Sequence, residues 1–274
     1  MRTAKTAMLR YLILLVAVLV SIFPLLVMLD TVPKTDLEIA GEQQWFASHA
    51  TLHYLRSTLA SADLLRWLRN STIIAAGMTV LTLALAVPAA YALARNEVMG
   101  GRAFLKGILA TQTMSPAVLI VPLFILLRTV GLINSYYSVV LVGSAFVLPF
   151  SIWLLLGYFR QSSVEMEEAA ALDGTVGLRY LIRFLMPCSM PGIAAVGIWC
   201  FMFGWNDFIF SLTFLSGSSS KWPITLGVFT TMGSRDVSWQ SLMVVALIGT
   251  APIMILFLLL RRHLEAGLGK TVGA

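Results

Sequence analysis

The sequence predicts an all-α integral membrane protein with six transmembrane helices and a helix–turn–helix at the membrane surface. Three observations support this class. Of the 274 residues, 58% are hydrophobic and only 12% are charged, whereas a soluble domain carries about 25% charged residues. A soluble core of this size would need far more polar surface than the chain offers. The apolar residues also lie in stretches long enough to cross a bilayer.

Six stretches meet the length requirement for a membrane span. A helix rises about 1.5 Å per residue, so about 20 predominantly apolar residues are needed to cross the hydrocarbon layer. The predicted spans are residues 11–29, 71–93, 107–127, 137–156, 191–212 and 241–260. The first span is too long for the apolar core of a signal peptide, so we expect it to be retained. We expect residues 1–274 to form a single transmembrane domain.

The basic residues between the spans predict the orientation of the chain. With the N-terminus inside, the inner segments contain 12 basic residues and the outer segments contain 7. This bias follows the positive-inside rule and predicts that both termini are cytoplasmic. The net charge of +6 therefore reflects topology and contacts with lipid headgroups rather than nucleic-acid binding.

Two of the outer segments carry aromatic residues that suit a membrane interface. The segment 30–70 is long and mixed in charge, and its Trp45 and Phe46 fit an amphipathic or interfacial stretch. The segment 213–240 begins with a polar run and then contains Trp222 and Trp239. Tryptophan is enriched at both membrane interfaces, so we expect these residues to act as interface anchors.

The long inner segment 157–190 begins with the signals of a short surface helix. Ser162 or Ser163 is a good N-cap, and acidic residues in the first turn complement the helix dipole. Residues 165–172 favour a helix. Gly174 is expected to end it, because glycine accepts the left-handed conformation common at helix C-termini.

A second surface helix is expected over residues 178–185. It places Arg179 and Arg183 on one face, because they are four residues apart. Pro187 is expected to close this helix before the next span. Two short helices must pack on the bilayer or on another protein. The acidic start of the segment favours protein docking, since carboxylates are repelled by an anionic leaflet.

The spacing within this segment resembles the signature of permease subunits of binding-protein-dependent ABC importers. That signature is E-A-A, three residues, G, nine residues, and a hydrophobic group before P. The usual I-x-L before the proline is Phe184-Leu185-Met186 here, a conservative departure. The residues that the resemblance implies in coupling to an ATPase are Glu168, Ala169, Ala170, Asp173, Gly174 and Pro187.

The resemblance extends over most of the chain from about residue 70 onward. Four further motifs are similar to those of the maltose-type carbohydrate permeases. They are Asn70-Ser71, residues 131–135, residues 205–208 and the tail from Arg261-Arg262. The implied function is that of a multi-pass permease subunit in a bacterial or archaeal cytoplasmic membrane, which imports a carbohydrate or sugar derivative by alternating access.

The resemblance also implies partners. The cytoplasmic helix–turn–helix would insert into a cleft of an ABC ATPase, of which two copies bind ATP and Mg. A second homologous permease subunit and an extracytoplasmic solute-binding protein would complete the assembly in the lipid. By position, Glu168 would contact a basic group on the ATPase, Ala169 and Ala170 would allow close approach, and Gly174 would set the turn.

The chain itself is not expected to be an enzyme or to hold a cofactor. The tail contains Gly269-Lys270-Thr271, but a Walker A motif needs a glycine where Leu264 stands. No cluster of histidine, cysteine or paired carboxylates is visible at one membrane depth, so the alternative of an integral membrane enzyme is disfavoured and no metal site is expected.

Polar residues within the apolar stretches are the candidates for a translocation pathway. Asn206 and Asp207 lie in the fifth stretch beside Trp205, and an ionisable residue there is costly unless it faces the bundle interior or water. The alternative is that this span ends early and Asp207 lies at the outer interface. Gln112 and Ser115 in the third stretch are weaker candidates.

Aromatic side chains could stack on sugar rings, but a glycerophosphodiester, amino acid or peptide stays an alternative cargo.

Overall fold

The computed structural model describes residues 2–41, 45–95, 100–161, 164–232 and 238–268. Within these ranges all regular secondary structure is helical, which confirms the all-α class. The N-cap candidates Ser162 and Ser163 lie outside the described residues, as does the glycine–lysine–threonine sequence of the tail.

The helices follow one another with short connections. The first seven are α1 (Arg2–Thr31), α2 (Asp36–Ala40), α3 (His53–Leu59), α4 (Ala62–Arg95), α5 (Gly101–Thr111), α6 (Pro116–Thr129) and α7 (Tyr136–Arg160). The others are α8 (Val164–Leu172), α9 (Leu178–Tyr180), α10 (Met186–Cys188), α11 (Met190–Trp205), α12 (Ile209–Phe214), α13 (Ile224–Met232) and α14 (Trp239–Leu268). A π-helical turn, Leu181–Leu185, joins α9 to α10.

Four described helices are individually long and apolar enough to cross a membrane. They are Arg10–Thr31, Ala62–Arg95, Tyr136–Arg160 and Trp239–Leu259. Two further pairs of helices pass the same test together, although each pair is sharply bent, so the count reaches six when each bent pair is one span. The predicted first, second, fourth and sixth spans are thus single helices, and the third and fifth are interrupted.

The third predicted span, 107–127, is not one continuous helix. Its first part ends at Thr111, the second begins at Pro116, and the two axes differ by 94°. Proline has no N–H and restricts the residue before it to extended backbone. Ser115 is accordingly extended and caps α6 by accepting a hydrogen bond from Ala117 N–H at 3.4 Å.

The fifth predicted span, 191–212, is also wrong in its end point. The helix α11 stops at Trp205, and α12 starts at Ile209. Asn206 closes α11, because its Nδ2 donates to the Met202 carbonyl at 2.8 Å. The alternative that this span ends early is therefore the one observed.

The chain divides into two compact units, of which the first comprises Met1–Leu65 and Val228–Pro252. Its segment after α1 is organised around Glu38. Backbone N–H groups of Thr35 and His49 donate to this carboxylate at 2.8 and 3.0 Å. These bonds, with a smaller contribution from Ser48, lower the pKa of Glu38 to about 2. The segment is thus a folded structure with an ionised carboxylate at its centre.

The same unit leaves Trp45 on its surface, and the interfacial role of this residue stays a prediction. Its ring lies beside Phe23 of α1, with centroids 6.2 Å apart, and both it and Phe46 are exposed. Helix α1 exposes large apolar side chains along its whole apolar window, as expected of a helix that meets lipid.

The second unit comprises Arg66–Gly227 and Ile253–Ala274. Its two apolar clusters of buried side chains draw mainly on α4, α7 and α11. Helices α4 and α11 approach closely at Gly204, where an added Cβ would lie 2.9 Å from the Ala75 Cα atom. Such close contacts through small residues are common between membrane helices.

Trp222 is packed inside this unit, contrary to the expectation of an interface anchor. It is half-buried, and its Nε1 donates to the Leu215 carbonyl at 3.1 Å. The neighbouring Pro223 is buried. An indole N–H that finds a partner within the protein has no need of the headgroup region.

Candidate functional site

The end of α8 has the geometry that the sequence predicts. Gly174 has a φ of +73°. Its N–H donates to the Ala171 carbonyl at 3.0 Å, and the Thr175 N–H donates to the Ala170 carbonyl at 2.9 Å. This pair of hydrogen bonds is a Schellman motif, which satisfies the last carbonyls of the helix. The left-handed glycine predicted at this position is confirmed.

Helix α8 presents one face to the surroundings and one to its own chain. Glu168, Ala169 and Asp173 are exposed, and Leu172 at the helix end is 91% exposed. Ala170, in contrast, is only 5% exposed and belongs to the chain's own buried cluster. The expected role of Ala170 in close approach to an ATPase is therefore wrong, because its methyl group packs inside the permease.

Glu167 fastens α8 to the end of α4. The Tyr91 hydroxyl donates to its Oε1 at 2.7 Å, and Arg95 Nε lies 2.7 Å from its Oε2. We call Tyr91, Arg95 and Glu167 the inner fastening. Sequence reasoning missed it because the partners are some 70 residues apart, and because Glu167 and Glu168 look alike until one of them is seen to face inward.

The second helical stretch of segment 157–190, Leu178–Cys188, is here called its second arm, and it differs from the prediction at its end. Tyr180 is fully buried, and its ring stacks on Phe184 with centroids 6.0 Å apart. The helical run continues through Pro187 to Cys188, and the chain bends by 85° before α11. Pro187 therefore does not close the helix. The π-helical turn lies just ahead of it, where a regular helix would bring its ring against the Arg183 carbonyl.

Asp207 caps a helix, which corrects its expected place in a pathway. Its Oδ1 accepts from the Phe210 N–H at 3.2 Å. Its Oδ2 accepts from the N–H and hydroxyl of Ser211 at 2.9 and 2.7 Å. Both oxygens are thus occupied at the start of α12, where carboxylates favour the helix dipole. The side chain is 8% exposed.

Of the two neighbours of Asp207, Trp205 departs from a pathway role, whereas the role of Asn206 stays a prediction. Trp205 is 3% exposed, and its ring stacks on Phe201 with centroids 5.7 Å apart. Asn206 is exposed, but its amide nitrogen is held by the backbone of α11.

An aromatic cavity of about 320 Å³ opens beside the bend between α5 and α6. Gln112 is its polar group, and Ser115 lies at the same bend without lining it. The remaining lining residues are Met114, Pro116, Phe146, Val147, Phe150, Trp199 and Phe203. Gln112 Nε2 donates to the Phe146 carbonyl at 2.5 Å, while the Phe150 and Trp199 rings have centroids 5.3 Å apart. The sequence did not single out these aromatic residues, because α7 and α11 are as rich in aromatics elsewhere.

A hydrogen-bonded group of residues, here called the outer clasp, lies at the other end of α4 and centres on Asn70. Asn70 Nδ2 donates to the carbonyls of Ser220 and Trp222, each at 2.9 Å. Its Oδ1 accepts from the Tyr136 hydroxyl at 2.8 Å. The clasp also includes Ser71, whose hydroxyl accepts from the Ile224 N–H at 2.8 Å.

Asn134 extends the outer clasp. It adopts a left-handed φ of +59°, its side-chain oxygen accepts from the Gly217 N–H at 3.1 Å, and its carbonyl accepts from Lys221 Nζ at 2.5 Å. Two of the motifs that resemble maltose-type permeases, one at Asn70-Ser71 and one over residues 131–135, thus meet in one structure.

We expect Asn70→Asp to destabilise the permease strongly. The aspartate would lose both N–H donors and face two carbonyl oxygens, and each buried polar group left unpaired costs about 1–3 kcal/mol. Thermal unfolding of the purified permease in detergent measures the effect. Gln161→Glu is the matched control, because Gln161 is exposed and its side chain makes no hydrogen bond within the described residues. Equal melting temperatures for the two variants would contradict a stabilising role for the clasp.

Comparison with known proteins identifies the family. Residues 86–270 match the family described as "Binding-protein-dependent transport system inner membrane component". The chain belongs to this family, and it is a permease subunit of an ABC importer. The resemblance seen in the sequence is thereby confirmed, and the protein is a multi-pass component of the inner membrane.

Individual relatives carry sugar-transport names. The chain is 31% identical over 210 residues to the trehalose/maltose transport system permease protein MalG of Thermococcus litoralis, covering 76% of this chain and 74% of that protein. It is 29% identical over 248 residues to the sulfoquinovosyl glycerol transport system permease protein SmoH of Agrobacterium fabrum, covering 90% and 87%.

A solved structure shares the fold. It is the crystal structure of a bacterial ABC transporter involved in the import of the acidic polysaccharide alginate. One of its chains superposes with a TM-score of 0.82 at 18% identity, over 94% of this chain and 96% of that chain.

Proposed function

We propose that this permease translocates a carbohydrate or sugar derivative by alternating access, acting as one transmembrane domain over residues 1–274. It works with two copies of a cytoplasmic ABC ATPase, a second homologous permease subunit and an extracytoplasmic solute-binding protein. ATP and Mg are bound by the ATPase, and both termini of this chain are cytoplasmic. The membrane is the cytoplasmic membrane of a bacterium or archaeon.

The exposed face of α8 supports docking on the ATPase. Glu168 and Asp173 offer carboxylates, and Leu172 offers an apolar side chain that its own chain leaves 91% exposed. Val176 nearby is also 61% exposed, and contiguous apolar surface rimmed by polar residues is typical of an interaction site. The opposite face is fixed to α4 through Glu167, so movement of the ATPase would pull on the permease helices.

The single observation that carries the sugar assignment is the aromatic cavity. Ligand sites of this kind are lined mainly by apolar and aromatic groups, with a few polar groups that fix orientation. Its rings offer flat apolar surfaces of the size of a pyranose face. Gln112, whose Nε2 is held by the Phe146 carbonyl, offers its amide oxygen to hydroxyl groups. Sugars named for the relatives support the same cargo class. A glycerophosphodiester would call for a cation, and the described lining has none.

We expect Trp199→Ala to lower sugar uptake about tenfold, since a well-placed aromatic contact is worth about 0.5–1.5 kcal/mol beyond its buried area. Uptake of labelled sugars by proteoliposomes containing the whole transporter measures it, with ATP hydrolysis recorded in parallel. Tyr137→Ala is the control, because Tyr137 is 70% exposed on α7 and does not line the cavity. Transport of amino acids, peptides or phosphodiesters in preference to all sugars would refute the sugar assignment.

A further inference from the structure

An apolar groove of about 280 Å³ lies between α4 and the second arm of segment 157–190. Every lining side chain is apolar. Helix α4 contributes Leu83, Val87 and Pro88, and the second arm contributes Leu178, Ile182 and Met186. We propose that this groove binds an acyl chain of an anionic phospholipid, whose headgroup pairs with Arg179 and Arg183.

The position of the groove along α4 matches the depth of an acyl chain. Pro88 lies seven residues before Arg95, the last residue of α4, which is about 10 Å along the helix axis. Leu83 lies about 8 Å deeper. The groove therefore runs from near the membrane surface into the hydrocarbon layer. Water would find no hydrogen-bond partner against these side chains, whereas a hydrocarbon chain gains contacts with all of them.

Two arginines are next in sequence to residues that line the apolar groove. Leu178 and Ile182 line the groove, and Arg179 and Arg183 each follow one of them by one residue. Both arginines are exposed, and neither has a hydrogen bond or ion pair with any other residue that the structure describes. Two exposed arginines next in sequence to residues that line an apolar groove complement a molecule with an anionic head and an apolar tail.

Charge separation between the two arms argues against a protein partner for the arginines. The first arm, α8, exposes Glu165 and Glu168 and ends in the exposed Leu172, so it has the chemistry of a docking surface. The second arm places its cations beside a groove that continues into the depth of the membrane. A protein carboxylate could pair with the arginines, but it could not fill the groove.

The test counts lipids that remain on the whole transporter. The complex is purified from mixed micelles of phosphatidylglycerol and phosphatidylcholine, and the bound lipids are counted by native mass spectrometry. We expect preferential retention of phosphatidylglycerol. In the R179Q/R183Q variant its affinity should fall about thirtyfold, because each basic residue near an anionic surface contributes about a factor of five. Binding of phosphatidylcholine should stay unchanged.

Two further variants separate the headgroup from the tail. R160Q is the matched control, because Arg160 is exposed at the end of α7 and does not line the groove; it should retain phosphatidylglycerol as the wild type does. Ala84→Phe fills the groove and should reduce retention of both lipids, while the complex elutes intact from size-exclusion chromatography.

Three outcomes would overturn the proposal. They are equal retention of the two lipids by the wild type, a loss in R160Q as large as in the double variant, and loss of the ATPase from R179Q/R183Q with lipid retention unchanged. The last would assign the arginines to the protein interface. Lipid counts depend on neither the cargo nor ATP turnover, so this test can fail while the proposed transport function stands.

Discussion

Gly174→Val is expected to lower uptake by the assembled transporter by at least about tenfold, which corresponds to 1.4 kcal/mol or more. Gly174 has a φ of +73°, a conformation that a β-branched residue adopts only with strain of about 1–2 kcal/mol. No atom lies within 4 Å of an added Cβ, so the effect arises from the backbone alone. Relief of the strain would break the Schellman motif and displace the exposed end of α8.

The measurement combines sugar uptake with ATPase activity stimulated by the binding protein. Gly174→Asn is the matched control, because asparagine tolerates the left-handed region, and it should retain most of the uptake. Leu172→Asp gives an independent check, since this side chain is 91% exposed and its replacement would remove only the proposed docking contact. Wild-type uptake in both Gly174→Val and Leu172→Asp would rule out α8 as the docking element.

Reversal of the charge at Arg95 is expected to uncouple the transporter, and a second reversal at Glu167 is expected to restore it. The Arg95 and Glu167 side chains are only 10% and 26% exposed. Arg95→Glu would place two carboxylates against each other, and breaking a buried ion pair costs about 3–5 kcal/mol. Since water reaches part of this pair, we expect the lower end of that range. Arg95→Glu/Glu167→Arg restores an attractive pair.

The ratio of sugar molecules transported to ATP hydrolysed reports on this fastening better than uptake alone. A permease whose α8 is loose should still let the ATPase hydrolyse ATP, but fewer cycles should move the helices. Tyr91→Phe removes only the hydroxyl that donates to Glu167, so it should cause a smaller loss. The pair has no coupling role if the double reversal transports no better than Arg95→Glu.

The transmembrane character and the surface helix pair were accessible from the sequence, because both depend on local patterns. Long apolar stretches report on burial in lipid irrespective of their neighbours. The left-handed glycine at 174 was predictable for the same reason, since the requirement lies in its own backbone.

The breaks in the third and fifth spans were harder to predict, because apolar composition continues across them. At the third span, Pro116 was a signal that a helix begins there. The apolar composition on both sides of it nevertheless predicts one continuous span. At the fifth span, Asp207 suggests a pathway residue, because an ionisable side chain is costly in lipid unless it faces the bundle interior or water. Its actual partners are the N–H groups of Phe210 and Ser211, which become available only because α11 stops at Trp205.

The candidate site depends on contacts that are distant in the chain. The cavity joins Gln112 to Phe150 and Trp199, and no local pattern distinguishes these two aromatic residues from their lipid-facing neighbours. The role of Glu167 could not be predicted from the sequence either. Successive residues of a helix point about 100° apart, so Glu167 faces Arg95 while Glu168 faces outward.

Helix α4 is attached at two places, through Asn70 in the outer clasp, about two turns after its start, and through Arg95 in the inner fastening, at its last residue. These two residues are about 38 Å apart along the helix axis, at about 1.5 Å per residue. A helix held at two distant points can pass a displacement of one point on to the other. Under the proposed function, a displacement of α8 by the ATPase would reach the outer clasp through the backbone of one helix, whose ladder of hydrogen bonds is interrupted only at Pro88.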